Sequence, residues 1–347
     1  MGLATHLQLP DFVELQLKGW SDEALATAQI EGEILQLNSV RASAARRLGL
    51  SDDKKNKRDA RAEATLNLLQ GALENSGQVL SHQTLLSWQA ALFPTGRSGT
   101  QKIRTGAYRT HIEPMQIVTP RMGKPDLVHY QAPPSVEVPR QMDAFIEWFN
   151  SSLRQQDGLV RAAIAHLWFE TIHPFEDGNG RIGRALVEMA LAQDLKTAQR
   201  LWSLSQQMWL DRAGYYAQLQ AATGQANMDV TPWVQWFVGC VHKAADATWG
   251  HMQAAMRKTR FWAELREQHP ELTPTQIKAI NKLYDVGPEG FANGISTEKY
   301  VNLCRVSRAT AYRELTALCE MGVLVQAGMG RGTRYQLISQ RSSSGPT

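Results

Sequence analysis

Apolar residues recur at helical spacing through most of the chain, and two stretches break that rhythm. Residues 1 to about 95 read as helical, because long periodic runs follow one another without Pro or Gly clusters between them. Between Gly158 and Ile172, Leu159, Ala163, Leu167 and Trp168 fall at roughly helical period and predict an amphipathic helix. Pro174 disfavours helical backbone at the residue before it, so this helix should stop near His173. From about Gly180, Ile182, Leu186, Met189 and Ala190 start a second helix, and Trp233, Trp236 and Phe237 mark another after Pro232. The first break begins near Arg104. Met115 to Val118 and Leu127 to Tyr130 are short β-prone runs separated by Pro120, Gly123 and Pro125, which predicts a hairpin closed by Pro133-Pro134 and Pro139.

The second break lies near the C-terminus. Helices over Leu272–Tyr284 and Ser296–Cys304 are followed by a third that starts at Ser307, a good N-cap, and ends at Gly322. Val323–Val325 and Thr333–Leu337 then pair around Gly328–Gly332. Three helices and a hairpin in this order look like a winged helix-turn-helix. Arg308, Thr310, Tyr312 and Arg313 on its third helix, with Arg331 and Arg334 on the wing, are candidate DNA contacts.

Near the start, Thr27-Ala28-Gln29-Ile30-Glu31-Gly32 falls in a predicted helix entered through Ser21 as N-cap, with Ile30, Ile34 and Leu37 as its apolar stripe. Thr27 and Glu31 lie four apart on one face beside that stripe. Gly32 inside a helix would cost about 1 kcal/mol relative to Ala, which predicts a close neighbour there.

Composition narrows the setting. At 347 residues and 43% hydrophobic the chain can fill two or three domains. No apolar stretch reaches membrane-spanning length, and the N-terminus lacks a signal-peptide pattern, so no membrane partner is expected. Cys240, Cys304 and Cys319 are few and lack C-x-x-C spacing, which fits a reducing cytoplasm and argues against a disulfide framework or zinc site. Residues 272–347 carry nine Lys/Arg against five Asp/Glu, which accounts for the whole formal charge of +4. Local positive excess suits a phosphate-bearing partner. The mixed run from Asp52 to Asp59 reads as a solvated connection.

The chemistry concentrates in His173-Pro174-Phe175-Glu176-Asp177-Gly178-Asn179-Gly180-Arg181-Ile182-Gly183-Arg184. A glycine loop opening onto a helix N-terminus is an anion site, since free N–H groups and the helix dipole both face the ligand. His173 suits a general base at neutral pH, and Asp177 suits a Mg²⁺ shared with phosphate oxygens. Arg181 and Arg184 can grip phosphates, while Asn179 can donate to a phosphoryl oxygen. Phe175 reads as an apolar pin and Glu176 as a solvated loop acid. Taken alone, Arg184 would pair with Glu188 at i,i+4 spacing.

HPFEDGNGRIGR resembles the Fic motif, His-x-Phe-x-(Asp/Glu)-Gly-Asn-Gly-Arg-x-x-Arg, at every fixed position. The resemblance implies a mainly α fold: a helical Fic (Fido) core with a β-hairpin flap, here joined to the C-terminal winged-helix domain. It also implies transfer of AMP from ATP, with Mg²⁺, to a Tyr, Ser or Thr hydroxyl of a target protein. His173 becomes the base and Asp177 the metal ligand. Asn179, Gly180 and Arg181 become the anion hole and Arg184 the γ-phosphate clamp, with Gly178 also among the nucleotide-binding residues. TAQIEG is similar to the (Ser/Thr)-x-x-x-Glu-(Gly/Asn) segment of autoinhibited members, in which Glu31 would occupy Arg184; in some relatives the same glutamate supports AMP removal. The flap residues Ile117, Val118, His129 and Tyr130 would hold the target by strand addition, and GAYR at Gly106–Arg109 looks like the flap's flank. Tyr215 and Tyr216 stand where such proteins contact the nucleotide.

The expected organisation is an N-terminal helical region over 1–98, a catalytic domain over 99–245 with its flap at 113–132, a linker helix over 246–271, the winged helix over 272–340 and a tail over 341–347. A homodimer is a further expectation. Two alternatives stand beside the transferase: a DNA-binding transcriptional regulator whose nucleotide site senses ATP, and transfer of a different phosphoryl-linked group.

Overall fold

The computed structural model of the chain describes residues 9–50, 58–113, 115–119, 127–224, 229–287, 291 and 294–338. Two compact units divide at Gln253. In the first, α1 (Leu9–Ile30), α2 (Leu37–Arg47), α3 (Ala60–Glu74) and α4 (His82–Leu92) lead to a small hairpin of β1 (Arg97–Ser98) and β2 (Gln101–Lys102). A second hairpin, β3 (Gln116–Thr119) and β4 (Leu127–Gln131), is antiparallel, with its register shifting between Ile117 and Val118. Then follow α5 (Val138–Ser151), α6 (Gly158–Ile172), α7 (Asn179–Leu195), α8 (Leu204–Leu210), α9 (Arg212–Gly224) and α10 (Thr231–Gln268), which continues into the second unit. The protein is mainly α-helical, and no described helix is long and apolar enough to cross a membrane.

The centre is the α6–α7 pair. Asp157 caps α6 by accepting from the amides of Leu159 and Val160. α7 is buried almost all round, from Asn179 through Ala192, as expected of a helix with neighbours on every side. Phe145, Phe149, Phe169, Ile172, Phe175 and Ile182 share one core with Trp88 and Trp233. That core fixes the turn between α6 and α7, which carries the motif.

The N-terminal helix differs from its sequence reading. Ser21 is not an N-cap, because α1 already runs from Leu9; the Ser21 hydroxyl instead donates 2.6 Å back to the Leu17 carbonyl inside the helix. Nor does Gly32 lie within the helix against a neighbour. It adopts φ +77° just past the end, with open space where a Cβ would stand. The Gly32 amide donates to the Gln29 carbonyl and the Glu33 amide to the Ala28 carbonyl, the paired bonds of a Schellman stop. The stripe therefore ends at Ile30: Ile34 and Leu37 are 76% and 52% exposed.

α1 is anchored by charge as well as by Leu17, Trp20, Ala24 and Ala28. Glu23, 1% exposed, accepts from the Ser203 hydroxyl at 2.9 Å and the Ser205 amide at 3.1 Å, and lies 3.4 Å from Arg200. Arg200 also pairs with Glu188 of α7. Glu188 is thus taken by a buried tertiary partner, which overrides the i,i+4 pairing with Arg184 expected from spacing.

The second unit contains α11 (Pro274–Val286), α12 (Thr297–Cys304), α13 (Arg308–Glu320), and the antiparallel strands β5 (Leu324–Ala327) and β6 (Arg334–Leu337). Ser307 caps α13 through the Thr310 amide, as predicted. Ile280, Leu283, Tyr300, Leu315, Leu318 and Tyr335 form its core.

Candidate active site at the α6–α7 turn

α6 stops where Pro174 requires, and His173 takes the stop in the left-handed region at φ 50°, ψ 57°. A helix end leaves its last carbonyls without partners. Here they are captured in succession. The Tyr130 hydroxyl donates to the Thr171 carbonyl at 2.5 Å. Arg109 donates from Nη2 to Ile172 at 3.3 Å and from Nε to His173 at 2.8 Å, and its backbone amide donates to Pro174 at 2.9 Å.

The loop closes on itself. Asn179 accepts from the Phe175 amide at 2.9 Å and returns its Nδ2 to the Phe175 carbonyl at 2.8 Å. Its side chain is therefore spent as a staple, leaving its backbone N–H, at the start of α7, as the group free to face an anion. Phe175 is fully buried against Tyr108 and Phe169, the pin expected. Gly178, at φ +92°, leaves no room for a Cβ beside Phe93. Glu176 is not simply solvated: it accepts from the Arg104 amide at 2.9 Å and ties the loop to the segment after β2. Asp177 accepts from the Gly178 amide at 2.6 Å and from the Ser98 hydroxyl, with Arg181 3.7 Å away.

Both arginines are held from across the fold. Arg184, 2% exposed, donates from Nε to the Thr27 hydroxyl at 2.7 Å, and from Nη2 to the Thr27 carbonyl at 3.2 Å and Glu31 at 2.6 Å. Thr27 on the last turn of α1 and Glu31 just past its end reach the same guanidinium, in keeping with their spacing. Burial opposes charge on Glu31, but Arg184, with Arg181 and His173 behind it, outweighs that and holds the carboxyl below its usual range. A Cβ at Gly180 would collide with Glu31, so the glycine makes room for that carboxylate. Arg181 meets Glu33 at 3.0 Å and lies over the Phe93 ring. Glu33 was not anticipated from the sequence; its one signal there is an acid two residues beyond Glu31, across a glycine that turns the chain.

His173 is mostly buried, and burial pushes its imidazole down to about 4, so it is neutral and proton-accepting at neutral pH. Glu170 lies 3.8 Å from it and is pushed up to about 8 by burial, with Glu31 adding to the effect. Glu31, Tyr130, Glu170, His173, Gly180 and Tyr216 line a cavity of about 580 Å³. The tyrosine pair divides its work. Tyr215 also touches the cavity but is 2% exposed and bonded to His166 at 2.8 Å, while Tyr216 is 39% exposed and bonds the Ile30 carbonyl. Of the flap residues, Tyr130 reaches the cavity; the side chains of Ile117, Val118 and His129 lie outside the described residues.

In the second unit Arg308, Tyr312 and Arg313 are exposed on α13. Thr310 is partly occupied in capping, 2.9 Å from the Ser307 hydroxyl, and Arg334 folds back onto the Thr333 carbonyl at 2.9 Å. The side chain of Arg331 lies outside the described residues.

Comparison with known proteins agrees with this geometry. Residues 79–191 match the model of the Fic/DOC family, and residues 1–50 match a family described as a domain of unknown function, DUF4172. A probable protein adenylyltransferase of Aquifex aeolicus is 36% identical over 75 residues, 20% of this chain and 23% of that protein. The protein adenylyltransferase fic-1 of Caenorhabditis briggsae is 31% identical over 145 residues, 41% of this chain and 26% of that protein. The chain thus spans about a quarter of the length of these relatives. A Fic family protein from Desulfovibrio desulfuricans superposes with a TM-score of 0.50 at 22% identity, over 93% of this chain and 87% of the other. A Fic domain containing signaling protein from Bacteroides thetaiotaomicron gives 0.52 at 16%, over 72% and 90%. These two likenesses bear on the fold.

Proposed function

We propose that this chain, which carries a Fic domain over residues 79–191, transfers AMP from ATP to a hydroxyl side chain of a target protein and rests in an inhibited state. The observation that carries the reading is the clasp on Arg184: the buried last arginine of the motif is held by Thr27 of α1 and by Glu31 just past its end, while His173 is neutral. In the reaction, His173 takes the proton from a Tyr, Ser or Thr hydroxyl presented beside Tyr130. The oxygen attacks the α-phosphorus, the bond to the pyrophosphate oxygen breaks, and Arg181 and Arg184 balance the charge that leaves. Asp177, a hard carboxylate with its side chain 33% exposed, fits Mg²⁺, which would neutralise phosphate charge. While Glu31 holds Arg184, the γ-phosphate has no clamp and the α-phosphorus is not aligned for in-line attack. Glu31 also faces the cavity, so orienting a water for AMP removal is part of the same proposal.

The test compares wild type, Glu31→Gly and His173→Ala with ATP labelled at the α- or the γ-phosphate. Protein-bound α label should rise in Glu31→Gly and vanish in His173→Ala. Labelling by the γ-phosphate alone would mean phosphorylation instead, and neither label would leave a nucleotide sensor.

The exposed Arg308, Tyr312 and Arg313 on α13, in a unit of three helices and a hairpin, favour a second reading for that unit as a winged helix that binds DNA. Affinity that falls steeply with salt would report phosphate contacts, and discrimination between duplex sequences would report an operator. Binding indifferent to Arg308→Ala and Arg313→Ala would remove this reading.

A further inference from the structure

Arg109 is a fully buried guanidinium, 1% exposed, whose side-chain hydrogen bonds among the described residues go to main-chain carbonyls and not to a carboxylate. Burying a cation without an anion is costly, and is tolerated where hydrogen bonds replace the lost water. Every partner of Arg109 is a main-chain carbonyl of one small region. Nε donates to His173 at 2.8 Å; Nη2 donates to Pro133 at 2.6 Å and Ile172 at 3.3 Å; the backbone amide donates to Pro174 at 2.9 Å. Two of these carbonyls close α6, where the helix dipole is negative and favours a cation.

The residue between them is in an unfavourable state. His173 holds φ 50°, a left-handed conformation that is uncommon outside glycine, even for Asn, Asp and His, and that persists where neighbours fix it. The carbonyls on either side of the His173 Cα, those of Ile172 and His173, both end on Arg109. Pro133, the third anchor, lies two residues past the end of β4, so the same guanidinium ties the exit of the β3–β4 hairpin to the turn.

We infer that Arg109 is the positioning residue for His173, fixing its left-handed turn through the flanking carbonyls and joining that turn to the hairpin along which a target would lie. The inference rests on the proposed role of His173 as base. Arg109 touches neither the cavity nor the motif arginines, so its loss should impair the proton acceptor and leave nucleotide binding intact. The groups that face the imidazole are Glu170 on its own helix, Glu31 just past the end of α1, Asp177 from the loop and Arg109 itself; the positive charge of Arg109 is one of the influences that lower its affinity for protons.

The test uses full-length protein in the Glu31→Gly background with Arg109→Lys, which keeps the charge and one donor direction, and Arg109→Gln, which loses the charge. In Arg109→Lys, kcat for α-label transfer should fall about 10- to 100-fold, the scale set by misplacing a reacting group by about an ångström, with KM for ATP unchanged within about twofold. The His173 Cα chemical shift, assigned against His173→Ala, should leave its left-handed value, and in Arg109→Gln the imidazole should titrate at higher pH than in the parent. An unchanged kcat, a KM that rises in step with the fall in kcat, or a His173 shift that stays in place in Arg109→Lys would overturn the inference. If Glu31→Gly transfers no label, the functional reading fails, while the His173 resonances, which need no ATP, still decide for or against Arg109. Should Arg109→Gln fail to fold, the kcat and chemical shift of Arg109→Lys decide alone.

Discussion

Glu33 offers the sharpest quantitative test of the proposed inhibited state. Its Oε1 lies 3.0 Å from Arg181, which at an effective dielectric of about 20 is a gross attraction of about 5 kcal/mol. Solvent reaches Glu33, whose side chain is 26% exposed, and Arg181 at 5% exposed has already lost its water. The net value should therefore sit between that of a surface pair and that of a buried one, about 1–2 kcal/mol. A phosphate entering the anion site must displace that contact. Glu33→Gln keeps the shape and removes the charge, so it should tighten binding of a non-hydrolysable ATP analogue by about 5- to 30-fold. It should do so without restoring transfer, because Glu31 still holds Arg184. Titration calorimetry gives the affinity and α-label incorporation gives the rate. Unchanged affinity in a folded Glu33→Gln protein would refute this reasoning, as would full transfer activity with Glu31 in place.

Other consequences can be read as directly. In Glu31→Gly the acid limb of kcat should lie near or below pH 4, since burial holds the His173 imidazole at about 4 and removing Glu31 withdraws a charge that raised it; half-maximal activity near 6.5 would show that the buried, neutral base is wrong. Glu170, raised to about 8, is favoured in its protonated folded form, so its contribution to stability is present below the ordinary carboxylate range near 4.5 and is lost as pH rises toward 8. Thermal melts of Glu170→Gln should consequently lose less between pH 5 and pH 8 than wild type, and parallel losses would count against it. Thr27→Val leaves the buried Arg184 Nε unpaired and should lower unfolding stability by about 1–3 kcal/mol in denaturant titrations, whereas a neutral result would mean that the hydroxyl bond contributes nothing. Glu23→Ala strips the Ser203, Ser205 and Arg200 contacts at once and should destabilise by about 3–5 kcal/mol; a loss below about 1 kcal/mol would make that network dispensable.

Sequence and structure agree where the chain itself enforces the geometry. Pro174 ends α6 at His173, and the glycines of the loop lead into α7, because these are local backbone constraints that packing reinforces. The start of α1 lies well before Ser21, because a serine hydroxyl can bond back within a helix as well as cap one, and Ser21 does the former. Gly32 resembles an interior glycine in the sequence, although the same residue serves equally as a left-handed stop. The partners of Glu23, Glu33 and Arg109 were invisible for a different reason. Arg181 and Glu33 lie 148 positions apart, and nothing in spacing or periodicity marks which distant charge a buried guanidinium will find. The alternative i,i+4 pairing of Arg184 with Glu188 does not form, since Arg184 pairs with Glu31 and Glu188 with the buried Arg200.

The anchoring of α1 bears on how the proposed inhibition could be lifted. A helix that buries Trp20, Ala24 and Ala28 and carries Glu23 into a closed network is part of the wall of the molecule, so cutting it away would open the core rather than free the catalyst. The carboxylates that pair with Arg181 and Arg184, Glu33 and Glu31, do not lie on that wall. They stand at and just past its end, on a turn whose following residues Ile34 and Leu37 are exposed. Point substitution at Glu31 and deletion of the N-terminal helix are accordingly different experiments: under the proposed inhibition the first should release transfer, and the second should unfold the chain. Any physiological activator would have to bend a few residues and leave the helix where it is.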